Sequence, residues 1–211
     1  MFEKIVTKGI CEKCKQLICK NSAKKHIDKC FNIDKKENPN AFQIKIQWPH
    51  TNSIYWLYIV VPFKFTLENL DEFLRDIWLE CCGHLSQFII NNTRYFSYTE
   101  YGDEYPMTVA TKKVLYPSLK FKHEYDFGST TKLLLEVIGL INTTATNEIT
   151  ILMQNQEPEY KCYSCGAKAT LISEYSDKFL CKSCGNPNNE NENLYYSPLV
   201  NSPRTGVCGY S

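Results

Sequence analysis

The chain has 211 residues, 43% hydrophobic and 22% charged, which excludes global disorder and allows one real core with small additions. There is no apolar run of 18 residues, so no membrane-spanning helix is expected, and the opening MFEKIVTKGICEKC lacks the apolar stretch of a secretory signal. The formal charge of +1 is too small for a strong field toward nucleic acid or membrane, but residues 1–38 carry ten Lys against five acids while the rest is slightly acidic.

The first predicted element is a metal-binding head over 1–38. Cys11 and Cys14 form a C-x2-C knuckle, followed after eleven residues by His26 and Cys30. Residues at i and i+4 share a helix face, so His26 and Cys30 can reach one ion together. Asn21 or Ser22 would cap that helix. The pattern predicts a closed Cys3His zinc site, with Cys19 either a substitute ligand or a packed spare. The head's lysines, Lys13, Lys15, Lys20, Lys24, Lys25 and Lys29, are candidate phosphate contacts or a solvated face. Lys outnumbers Arg 21 to 3, which weakly disfavours sequence-specific reading of DNA.

Residues 31–40 read as a polar linker containing Pro39, and 41–153 as an α+β core. Ala41–Gln47 alternates as a half-buried strand does, and Ser53–Val61 (SIYWLYIVV) is rich in β-branched and aromatic residues. Thr66 opens an amphipathic helix that should run to Cys81 and Cys82 and stop at Gly83. Adjacent cysteines on a helix point in different directions, so these two read as core thiols. Strands follow at His84–Ile90, Arg94–Tyr98, Leu119–Phe127, Thr131–Leu140 and Glu148–Met153, with a tight turn at Asp126–Ser129.

Residues 158–211 form the third predicted unit. Cys162, Cys165, Cys181 and Cys184 have C-x2-C-x15-C-x2-C spacing, that of a zinc ribbon. Two knuckles complete a tetrahedron around Zn²⁺. Gly166 and Gly185 follow the second cysteine of each pair, where positive φ would let the turn curl. A hairpin turn is expected around Tyr175–Lys178. The tail from Pro203 to Gly209 reads as a loop docked on the ribbon with Cys208 packed; alternatively Arg204 binds a carboxylate or anion and Cys208 is reactive or a ligand. Four protein ligands leave no place for water, so both expected zinc sites are structural.

Several stretches resemble a known family: Trp78, His84-Leu85-Ser86-Gln87-Phe88, His123-Glu124-Tyr125-Asp126-Phe127-Gly128, and the ending Asn201-Ser202-Pro203-Arg204-Thr205-Gly206-Val207-Cys208-Gly209-Tyr210. They are similar to the plasmid pRiA4b ORF-3-like proteins, also labelled IS1096-element passenger TnpR-like. The resemblance covers about 41–153 and the tail. It implies a mixed or antiparallel sheet with a packed helix and says little of function. Where the family commonly has an acid and then Trp after YDFG, this chain has Ser129, Thr130 and Thr131. Three arginines do not furnish a serine recombinase site.

The expectation is therefore an α+β protein with a mixed or antiparallel sheet and a packed helix, flanked by two small modules that each hold structural zinc. No nucleophile elbow, phosphate loop or HExxH motif is present, and no catalytic residue is assigned. The leading reading is a non-enzymatic, cytoplasmic binding or adaptor protein whose partner is a protein or nucleic acid, with no membrane. Nucleic-acid binding by the head is the second. An enzyme whose cleft is lined by His84, Asp126 and His123, with His84 as acid/base, is the third, and Arg204 is a further candidate for a ligand cleft.

Overall fold

The computed structural model describes residues 7–33, 38–49, 54–100, 104–173, 176, 178–185 and 196–211. It is α+β: a large mixed sheet with few helices. Among the described residues ten strands form this sheet, in the order β2-β1-β10-β4-β3-β9-β8-β5-β6-β7. In chain order they are β1 (Lys8–Cys11), β2 (Leu17–Cys19), β3 (Ala41–Gln47), β4 (Trp56–Pro62), β5 (Ser86–Ile90), β6 (Thr93–Phe96), β7 (Tyr105–Pro106), β8 (Lys120–Tyr125), β9 (Thr131–Ile141) and β10 (Thr150–Asn155). Every pairing is antiparallel except that of β6 with β7.

The centre of the sheet explains the composition of β4. All seven of its residues are buried, so both faces are covered. Leu57, Ile59 and Val61 point into one core with Phe42, Ile44, Ile46, Leu133, Leu135 and Val137. Helix α2 (Leu67–Leu74) closes that core with Leu67, Leu70, Leu74 and the following Trp78. Trp56, Tyr58 and Val60 point the other way, against Cys11, Met153, and Ala23 and Ile27 of helix α1 (Ala23–Cys30). A strand buried on both faces loses its polar alternation, as in SIYWLYIVV.

The described part of the head, 7–33, thus packs as part of the sheet. β1 pairs with β10, with Gly9 opposite Asn155, and α1 supplies the cover for the second face. β2, β7 and the short helix α3 (Thr111–Val114) were not expected from the sequence.

The predicted long helix also ends earlier. Thr66 and Asn69 cap α2 reciprocally. Arg75–Leu79 then widens to a π-type turn, closed by the Glu80 amide donating to Arg75 O at 2.9 Å, and Glu80 is extended. Cys81 and Cys82 therefore leave the helix and lie in a loop. No helix among the described residues is long and apolar enough to cross a membrane.

One buried polar group ties α2 to the sheet. Asp71 lies 2.6 Å from His123 Nε2 on β8 and accepts from Arg75 Nε at 2.7 Å. Burial pushes its carboxyl up, but His123 first, then Arg75 and Ser86, outweigh this and hold it below the usual carboxylate range. A depressed pKa gives stability that is complete above the unfolded value of about 3.9 and lost as pH falls through the folded value. Asp71→Asn is expected to cost roughly 3–5 kcal/mol near neutrality. In denaturant melts of the two proteins, their stability difference should shrink as the pH is lowered below about 4.

Candidate metal centres

Among the described residues, three groups of side chains bring four ligand atoms each within 4.8 Å of one another: Cys11, Cys14, His26 and Cys30; Cys162, Cys165, Cys181 and Cys184; and Cys81, Cys82, His84 and Cys208. Each could hold a metal ion. The first two are the groups expected from spacing.

In the head, Cys11 ends β1 and Cys14 sits in the turn that follows. Lys15, in a left-handed conformation at φ 58°, donates its amide to Cys11 O at 2.8 Å and closes the knuckle. His26 and Cys30 come from α1. Cys11 Sγ is 3.8 Å from Cys30 Sγ, and Cys14 Sγ is 3.4 Å from His26 Nε2. Cys19 at the end of β2 is exposed and lies outside the group. Ser22 holds the helix cap position without accepting a bond through its side chain.

The C-terminal group sits beside a small sheet of β11 (Leu171–Ser173), β12 (Phe179–Leu180) and β13 (Tyr196–Pro198), in the order β12-β11-β13. The turn expected at Tyr175–Lys178 falls partly outside the described residues. Gly166 and Gly185 donate to Cys162 O and Cys181 O, both at 2.9 Å, which closes the two knuckles. Gly166 has φ +75° as expected. Gly185 does not share that conformation; there the constraint is space, since a Cβ would lie 2.8 Å from Leu171 Cδ1. Cys165 Sγ and Cys181 Sγ are 3.6 Å apart.

These separations fit the donors to zinc. A tetrahedron with Zn–S of about 2.3 Å and Zn–N of about 2.0 Å has S···S edges of about 3.8 Å and S···N edges of about 3.5 Å. The thiols also oppose one another electrically. Burial pushes the Cys162 thiol up, but the backbone groups of Cys181, Cys165 and Ser164 outweigh it and bring it down to about 6. Cys184 is pushed up to about 12 by Cys165, Cys181 and Cys162. In the head, burial and then Cys11 and Cys14 push Cys30 up to about 11. Crowded thiols cannot all ionise alone, and a dication removes that conflict.

The third group corrects the reading of Cys81 and Cys82 as core thiols. Their Sγ atoms are 3.4 Å apart, on the same side of the loop, with His84 and Cys208 beside them. The early end of the helix removes the divergence that adjacent helical residues would have. The local signal was the run Cys81-Cys82-Gly83-His84, which matches neither knuckle spacing; its fourth member lies 124 residues away from His84.

His84, Asp126 and Arg204 do meet, but around these thiols. His84 Nε2 is 3.6 Å from Asp126 Oδ2, and Arg204 Nη2 donates to that oxygen at 2.7 Å. Arg204 is fully buried and also donates to Ser129 O and Thr131 Oγ1, each at 3.1 Å, and to Cys81 Sγ at 3.3 Å. Its Nη1 and Nη2 thus serve the protein itself, and the carboxylate that it binds is that of Asp126. The tail docks on the core as well as beside the ribbon: Ser202 Oγ donates to Trp78 O at 2.6 Å, while Leu199 N donates to Thr170 O at 2.9 Å.

No family model matches the chain, and no curated protein matches it. A solved structure, that of a protein of unknown function from Methanosarcina mazei Go1, is similar with a TM-score of 0.47 and 13% identity, covering 61% of this chain and 76% of that one.

Asp126→Asn leaves the buried Arg204 charge without its counter-ion while keeping the side-chain shape. It should lower stability by roughly 3–5 kcal/mol. Matched chemical denaturation of the two metal-loaded proteins would measure it.

Proposed function

We propose that this chain is a non-enzymatic binding or adaptor protein in which two structural zinc ions shape the head and the ribbon. The observation that carries this reading is the donor set: four protein ligands in each expected group, at separations near those of a zinc tetrahedron. A closed site offers no water to activate, so its zinc holds shape. The small ribbon unit buries little, so metal binding would supply much of its folding energy, while in the head it would add to the packing of β1 and α1 on the sheet. Thiolate sites of this kind belong in a reducing compartment, in keeping with a cytoplasmic setting. The resemblance to pRiA4b ORF-3-like proteins fits the same reading and adds no activity to it.

Elemental analysis of protein purified without added metal tests it. Cys162→Ser should lose one zinc per chain and make the 158–211 unit protease-sensitive, and His26→Ala should lose a different one. Retention of all zinc with unchanged protease resistance in both variants would defeat the proposal.

A second reading, nucleic-acid binding through the head, has one observation in its favour. Lys20, Lys24 and Lys45 line a groove of about 420 Å³ between head and sheet. Burial, then the Lys45 charge, brings Lys20 down to about 8. A phosphate there would relieve both lysines. Against it, Lys13 donates to Cys30 O, Lys15 pairs with Glu12 and Lys24 pairs with Asp28, so these lysines already have local partners. Lys25 and Lys29 remain exposed. If three lysines in the groove contact phosphates, the logarithm of the binding constant should fall with the logarithm of salt concentration at a slope of about −3. A titration of single- and double-stranded probes that shows no salt dependence removes this reading.

A further inference from the structure

We propose that Cys81, Cys82, His84 and Cys208 form a third metal site, a zinc clasp that fastens the C-terminal tail to the core. Neither knuckle spacing nor a local motif announces it. The fold assembles it from the loop after α2 and from the tail.

Geometry is the first argument. Cys81 Sγ and Cys82 Sγ are 3.4 Å apart, and Cys82 Sγ and Cys208 Sγ 3.6 Å. His84 Nε2 is 3.0 Å from Cys82 Sγ and 3.6 Å from Cys208 Sγ. These lengths lie within about half an ångström of the S···S and S···N edges of a zinc tetrahedron, about 3.8 and 3.5 Å. They are far longer than the S–S bond of a disulfide, about 2.0 Å. The two groups expected from sequence show the same edges, 3.4–3.8 Å.

Electrostatics is the second. Binding Zn²⁺ displaces three thiol protons to solvent, so the centre of three thiolates, one neutral imidazole and the ion carries a net charge of −1. The buried guanidinium of Arg204 donates to Cys81 Sγ at 3.3 Å. A fixed N–H donor and positive charge beside a thiolate is the support that metal ligands receive from their surroundings. Arg204 is itself anchored by Asp126 at 2.7 Å, and Asp126 is 3.6 Å from His84 Nε2. The loop is braced from below as well: Arg75 Nη2 donates to His84 O at 2.7 Å, and Tyr125 Oη accepts from the His84 amide at 3.3 Å.

Identity follows from the donors. Three thiolates and one imidazole in tetrahedral array select Zn²⁺ over harder ions such as Mg²⁺ or Ca²⁺. Four protein ligands make the site closed. Its consequence is mechanical: Cys208 belongs to the tail and the other three ligands to the core, so the ion joins parts that the sequence separates by more than 120 residues.

The test uses the full chain, and the difference in zinc count between the proteins reads this site apart from the two proposed above. Zinc per chain is measured after dialysis against a competing chelator, for the wild type, for Cys82→Ala/Cys208→Ala and for Cys19→Ala. All three replaced cysteines are exposed, so the core should survive replacement. The expected counts are three, two and three. Trypsin should spare the Arg204–Thr205 bond in the wild type and cut it in the double variant. Equal zinc counts in the wild type and the double variant would overturn the site. An intact mass lower by two hydrogens, marking a disulfide between Cys82 and Cys208, would also overturn it. Loss of one zinc with the tail still protected would overturn the clasp. Losing zinc in Cys162→Ser while the double variant matches the wild type leaves the ribbon site standing and removes this one alone.

Discussion

A buried guanidinium holds the molecule's distant parts together. Arg204 lies in the tail, yet it is fully buried in the core and paired with Asp126. A charge in that position is tolerable only with a counter-ion and hydrogen-bond partners, which Nη1 and Nη2 have, while Nε has none among the described residues. Asp126 meets the demand because the β8–β9 turn presents it: the residue has φ 61°, and its Oδ1 accepts from the amides of Gly128 and Ser129 at 2.9 and 3.2 Å. Tyr125, one residue earlier, lies between two guanidiniums, with Arg75 and Arg204 each 4.8 Å from its ring centroid. Two of the chain's three arginines thus brace one tyrosine and the loop that carries Cys81, Cys82 and His84. The third, Arg94, donates to Gln87 Oε1 at 3.0 Å.

The sheet sets where the metal groups lie. Because β4 is buried on both faces, the fold needs two covers, and one helix cannot supply both. Helix α2 covers one face and the head covers the other through Ala23 and Ile27. The head's ligand group is therefore placed by its own knuckle and helix, and also by β1 pairing onto β10. Cys11 is at once a ligand candidate and a buried member of the second core, so metal and packing act on the same element.

What was legible in the sequence was local. C-x2-C knuckles, a His and Cys four apart on a helix, and β-branched runs each carry their structure within about 20 residues, and the α+β class and both expected ligand groups emerged from them. The helix over 67–79 was legible in its face and cap, but its end was not. Gly83 looked like the stop, whereas the stop is the i+5 bond from Glu80 to Arg75, which depends on Arg75 being held by Asp71, Glu80 and Ser86. That tertiary network overrode the helical periodicity. The same error hid the third ligand group, because cysteines assumed helical were assigned diverging directions. The sheet membership of the head was hidden for a related reason: a four-residue strand such as KGIC carries almost no periodic signal, and its partner strand is remote.

The three ligand groups differ in how they depend on the fold. In the head and the ribbon, ligands come as pairs within short segments, three of the pairs as C-x2-C knuckles and His26 with Cys30 on helix α1. The clasp has three ligands within four residues of the core loop and takes its fourth from the tail. With Cys208 in place the centre has four protein ligands and no room for water; with three, a zinc ion would keep an open position of the kind that polarises water or substrate. Cys208 therefore decides which chemistry the loop can support. What keeps it there lies four residues upstream, where Arg204 is bound to Asp126. The ion pair and the clasp close the same seam, and each lowers the entropy the other must overcome: a tail held by Arg204 presents Cys208 at high effective concentration, and a tail held by the metal keeps Arg204 in its buried pocket.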